Sequence, residues 1–146
     1  MKVRPIPEGY HTVTPTLNVH GAAKAIDFVK RAFGAEELMR FPAPDGTIMH
    51  AEVRIGDSIV MLSDAVRLPA MPGNIFLYVN DADAVYEQAL KAGATSLMPP
   101  TDMFWGDRFA RVKDPCGNLW AIATHQEDLS PEEIAKRAAA AAPPKS

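Results

Sequence analysis

The chain has 146 residues, 47% of them hydrophobic, and a mean hydropathy of −0.09. That describes one ordinary globular domain with enough apolar mass for a core, and excludes fibrous and disordered classes. A formal net charge of −3 with scattered Lys and Arg leaves no footprint for nucleic acid.

The single cysteine, Cys116, has no intrachain disulfide partner. Residues 1–11 carry no apolar signal-peptide core, and no apolar run approaches the ~18 residues of a membrane span. These features predict a cytoplasmic protein with neither a nucleic-acid nor a membrane partner.

In chain order, residues 12–19 read as a strand. A helix follows, with apolar positions Ala22, Ala25, Ile26, Val29 and Phe33 at helical spacing and Gly34 as its left-handed stop. Three strands come next, at 36–41, 47–55 and 58–63, separated by the turn signals Pro44-Asp45-Gly46 and Gly56-Asp57. Residues 64–73, with two prolines and no periodicity, form a connector.

The order then repeats. A strand at 74–79 precedes a helix built on Ala82, Val85, Tyr86, Ala89 and Leu90, capped by Asn80 or Asp81 and ended at Gly93. Strands at 94–98, 108–113 and 119–124 follow, the last two joined by the Asp114-Pro-Cys-Gly-Asn118 turn. Leu17 and Val19 superpose on Leu77 and Val79, and Met61 on Ala121, each pair 60 residues apart. The predicted fold class is therefore α+β: two tandem βαβββ modules, about 10–63 and 74–128, forming a cupped mixed sheet with the helices on its outer face. The domain covers 1–128. Residues 129–146 form an Ala-rich tail in which Ser130-Pro-Glu-Glu133 starts a weakly anchored helix and Pro143-Pro144 stops it.

The segments Ala23-Lys-Ala-Ile-Asp-Phe28 with Phe33-Gly34-Ala35-Glu36, His50-Ala-Glu52 with Ile55-Gly56-Asp57, and Trp105-Gly106-Asp107 with Asp114-Pro-Cys-Gly117-Asn118 resemble the vicinal-oxygen-chelate superfamily over about residues 10–128. That superfamily includes glyoxalase I, extradiol dioxygenases and the fosfomycin- and bleomycin-resistance proteins; the motifs are most similar to its PhnB-like branch. In its metal-dependent members one His or Glu on the first and last strand of each module holds a divalent ion. The resemblance puts those positions on Thr14, Met61, Asn74 and Ala121. A hydroxyl, a thioether, an amide and a methyl are poor ligands, so no cofactor or metal is expected, and metal-dependent lyase or dioxygenase chemistry is disfavoured.

Residue by residue, Thr14, Thr16, Asn74, Phe76, Tyr78 and Met61 share the strand parity that lines the cup, although Met61 has the bulk to plug it. Phe104, Trp105 and Arg108 lie on a long aromatic connection, 99–108, that reads either as a binding loop with Arg108 as an anion fork or as interface packing. His50 and Glu52 share one strand face with Arg54. They read as an acid/base pair, as displaced metal ligands with His11, or as a plain polar face. Cys116, His20 and His125 read as turn and strand-end residues. Three functions stay open: a homodimeric protein binding an apolar or aromatic small molecule, a lyase, isomerase or transferase using His50 and Glu52, and a structural partner with a vestigial pocket.

Overall fold

The computed structural model describes residues 3–66 and 68–141. The tail's stop at Pro143 and Pro144 lies outside the described residues. The elements are β1 (Thr16–Val19), α1 (Ala22–Phe33), β2 (Glu36–Pro42), β3 (Ile48–Ile55), β4 (Ser58–Asp64), β5 (Asn74–Tyr78), α2 (Ala82–Lys91), β6 (Thr95–Asp102), β7 (Asp107–Lys113), β8 (Leu119–His125) and α3 (Pro131–Ala141). They form two four-stranded mixed sheets, ordered β1-β4-β3-β2 and β5-β8-β7-β6. In each, the first strand runs parallel to the last and the other pairs are antiparallel. The fold is α+β, built from tandem βαβββ modules.

The register repeats at the predicted offset. Thr16 pairs with Met61 and Phe76 with Ala121. The helix entries repeat it too: Asp64 on β4 accepts the amides of Gly21 and Ala22 at 3.1 and 2.9 Å, and Thr124 on β8 accepts that of Ala82 at 2.8 Å. Each side chain satisfies N–H groups that a helix start leaves unpaired. Burial raises the Asp64 carboxyl, but the amides of Ala22, Ile48 and Gly21 outweigh it and hold the group below its ordinary range. Asp81 completes the α2 start by accepting from the Ala84 amide at 3.1 Å.

One face of each sheet is covered by its own helix, and the two helices pack against each other. One continuous core results, running from Ile26, Phe28 and Val29 through Val53 and Leu62 to Val112, Trp120 and Ile122. Phe28, outside the predicted apolar stripe, is buried because α1 has a second neighbour; its ring lies edge-on to Phe33, which meets Trp120 at 4.9 Å. The connector is held at its described end, 68–73. Asn18 donates to the carbonyls of Leu68 and Pro69, and a Cβ on Gly73 would fall 2.4 Å from Leu17 Cδ2.

Two expected elements differ. The first strand starts at Thr16 rather than residue 12, since Pro15 has no N–H to continue a ladder. The stretch expected as a long aromatic loop is mostly strand: β6 runs on through Pro99 and Pro100 to Asp102. Prolines are tolerated there because β6 is a sheet edge and its pairing with β7 shifts register between Met98 and Thr101. Only a tight turn over 103–106 remains, closed by the Met103 amide on the Asp107 carbonyl at 2.8 Å.

Candidate functional site

The face of each sheet away from its helix is open, and corresponding cross-strand rows run over the two faces. In module one the row is Thr16, Met61, Glu52 and Met39. In module two it is Phe76, Ala121, Arg111 and Met98.

On module one, strand alternation buries Ala51, Val53 and Ile55 and turns His50, Glu52 and Arg54 to the open face. Met49, expected with the buried set, is exposed. His50 Nε2 lies 2.9 Å from Glu52 Oε2, and the hydroxyl of Tyr10 donates to Glu52 Oε1. Tyr10 comes from the segment before β1, which crosses this face and leaves a cleft of about 600 Å³ bordered by Ile6, Tyr10, Thr14, Glu52 and Met61. Arg54 is taken up by Glu36 at 3.1 Å. The arrangement is a hydrogen-bonded Tyr-Glu-His line on a polar sheet face.

Module two presents aromatic groups instead. Phe76 meets Tyr78 at 4.9 Å and Phe109 at 5.8 Å, and Trp105 meets Phe109 edge-on at 5.6 Å. The small side chains of Ala121 and Ala123 lie beneath. Phe76 and Tyr78 are 46% and 64% exposed, a large uncovered aromatic area on an edge strand. Asp107, buried at 1% exposure, fixes this wall. Its Oδ2 accepts from Tyr78 and from Trp105 Nε1 at 3.0 and 2.9 Å, and its Oδ1 lies 2.8 Å from His125 Nδ1. Burial raises the Asp107 carboxyl, but the bonds from His125, Trp105 and Tyr78 outweigh it and the net direction is down. Asp107 and then Asp128 hold His125 above its ordinary value, and the bond to Asp107 raises the Tyr78 phenol.

Arg108 is not part of this face. It alternates to the helix side, where a bidentate pair with Asp83 at 2.9 and 3.0 Å and a contact with Asp102 occupy it and push its pKa up. Phe104 stacks edge-on to Trp105 but lines the groove toward α3 with Arg137 and Ala140. Asn74 is exposed at the start of β5. A cleft of about 860 Å³ runs between the modules along the free edge of β5, bordered by Phe33, Ile55 and Ser58 on one side and Ile75, Phe76 and Tyr78 on the other. Its size is that of a small-molecule site.

The Asp114-Asn118 turn is structural. Buried Asp114 accepts from the Cys116 and Asn118 amides, from Asn118 Nδ2 and from Trp120 Nε1, each within 2.8–2.9 Å. Burial and then Asp114 push the Cys116 thiol up, away from thiolate reactivity.

Tyr10, Asp107, Phe109, Arg111 and His125 escaped the sequence reading as site residues. For Asp107, Phe109 and Arg111 a signal existed, since they alternate with the apolar Ala110 and Val112. Tyr10 had none, because it precedes any periodic segment.

The family model for the Glyoxalase/Bleomycin resistance protein/Dioxygenase superfamily matches residues 10–122. An uncharacterised protein of Mycobacterium bovis is 40% identical over 134 residues, covering 84% of this chain and 88% of its own. The crystal structure of TioX from Micromonospora sp. ML1 is similar at 28% identity and TM-score 0.66, with 82% of this chain and all of that one covered. A glyoxalase-related enzyme from Fulvimarina pelagi, 19% identical at TM-score 0.64 over 78% of this chain and 87% of its own, shares the fold.

Many such folds carry a divalent ion, and the donor set here does not fit one. The positions that the sequence resemblance assigns to such an ion hold Thr14, Met61, Asn74 and Ala121, and no three His, Cys, Asp or Glu side chains converge among the described residues.

Proposed function

The chain belongs to the glyoxalase/bleomycin-resistance/dioxygenase superfamily, and from that premise we propose that it is a cytoplasmic small-molecule-binding protein of the PhnB-like branch, taking an apolar or aromatic compound against the open face of module two. The exposed Phe76 and Tyr78, backed by Phe109 and Trp105 over an alanine floor, carry this reading. Thr14, which borders the same cleft as Phe76 and Tyr78, contributes from module one, and Asn74 from the start of β5, whereas Thr16 and Met61 belong to the module-one face. Titration calorimetry with a neutral planar aromatic, 2-naphthalenemethanol, tests it. The expected result is saturable binding weakened at least ten-fold in Phe76→Ala; no heat at millimolar concentration overturns it. Purified protein is expected to hold no stoichiometric divalent metal, and elemental analysis finding one ion per chain, lost in His50→Ala or Glu52→Ala, would reverse that.

We propose further that the protein is a homodimer. The edge strands β2 and β5 and the exposed Leu38, Met39, Phe41, Met49 and Leu97 leave apolar surface uncovered. Sedimentation at micromolar concentration should give twice the chain mass; a monomer counts against it.

The Tyr10-Glu52-His50 line supports a second reading, an isomerase, lyase or transferase in which Glu52 and His50 exchange a proton with a bound substrate. Turnover lost in Glu52→Gln with binding retained would establish it.

A further inference from the structure

On the binding reading above, we propose that the ligand is an aromatic acid and that Arg111 is the residue that holds its negative charge. Of the arginines on regular elements, Arg31, Arg40, Arg54, Arg108 and Arg137 each have a carboxylate. Arg111 has none among the described residues. Its guanidinium carbon stands 5.3 Å from the centroid of the Phe109 ring, and its Nε is buried with no hydrogen-bond partner. A ring face attracts the cation but offers no acceptor to the in-plane Nε–H, and a buried donor left without one is destabilising.

The neighbours across the strands are Met98 and Ala121, whose side chains carry no oxygen to accept from it. The module-one counterpart, Glu52, is already engaged by Tyr10 and His50. What fits is a molecule whose ring lies against Phe76 and Phe109 and whose acidic group forms the planar, paired hydrogen bonds a guanidinium offers.

The test compares 2-naphthoate with 2-naphthalenemethanol, which share a ring system and differ in charge, by titration calorimetry on the full chain at low salt. The expected result is at least ten-fold tighter binding of the acid, an advantage that shrinks with added salt and disappears in Arg111→Gln. Arg111→Lys, which keeps the charge and loses the fork, should retain part of it and covers the case in which the glutamine variant misfolds. Equal affinity of the two compounds for the natural chain overturns the role of Arg111 and leaves the aromatic site standing. Binding of neither overturns the site and this inference together.

Discussion

The open faces of the two modules start from one register and end in opposite chemistry. Thr16, Met61, Glu52 and Met39 cross module one where Phe76, Ala121, Arg111 and Met98 cross module two. In the first, a thioether fills the middle of the face and the carboxylate is answered by Tyr10 and His50. In the second, a methyl group occupies the middle, aromatic rings wall it, and Arg111 Nε has no partner among the described residues. A duplicated scaffold thus keeps its strands and caps while one copy pairs the charged side chain of its row internally and the other leaves Arg111 Nε without a partner among the described residues.

The contrast breaks most readily at Asp107. Replacing it by Ala removes the acceptor for Tyr78, Trp105 and His125 at once and should cost about 3 kcal/mol in urea unfolding, whereas Glu52→Gln in module one should cost about 1 kcal/mol. Similar losses would show that the two faces are equally supported. A sharper exchange is Ala121→Met, which gives module two the side chain that module one carries. It should lower affinity for 2-naphthalenemethanol at least ten-fold while costing about 1–3 kcal/mol of stability from overpacking; unchanged affinity would place the ligand elsewhere.

Smaller still, Tyr10→Phe should cost about 1 kcal/mol and speed proteolytic cutting before β1, without touching aromatic binding. The weakest effect is electrostatic. His125 is held above its ordinary 6.5, so its contribution is full below that pH and is lost as pH rises through its folded value. Asp107 is held below 3.8, so its contribution is present above that pH and lost as pH falls through its folded value. Chemical denaturation of His125→Gln against the natural chain should therefore differ most near pH 5.5 and converge in alkaline buffer; a gap that widens with pH would refute the assignment.

The duplication was legible because the helical stripes recur at one offset, Ala22, Ala25, Ile26 and Val29 falling on Ala82, Val85, Tyr86 and Ala89, and Leu17 with Leu77 and Asp64 with Thr124 keep it in three dimensions. The parity rule likewise separated Glu52 from Val53. The same rule holds at Arg108, and it is proximity along the chain that misleads there by grouping Arg108 with Trp105, although a strand turns neighbouring side chains to opposite faces. Asp83, the partner that claims Arg108, lies 25 residues away on α2, and no local pattern announces such a contact. The β6 edge was hidden for a similar reason: two prolines read as loop unless the strand is known to have a free side.

The two tryptophans of the chain sit on opposite sides of one sheet. Trp120 Nε1 donates at 2.9 Å to buried Asp114 in the core, and Trp105 Nε1 donates at 2.9 Å to buried Asp107 on the open face. The protein therefore contains its own pair of fluorophores, an inner one that senses only unfolding and an outer one that a bound ring would quench. Emission from a Trp105→Phe variant supplies the internal standard, so occupancy and denaturation can be read apart without any added dye.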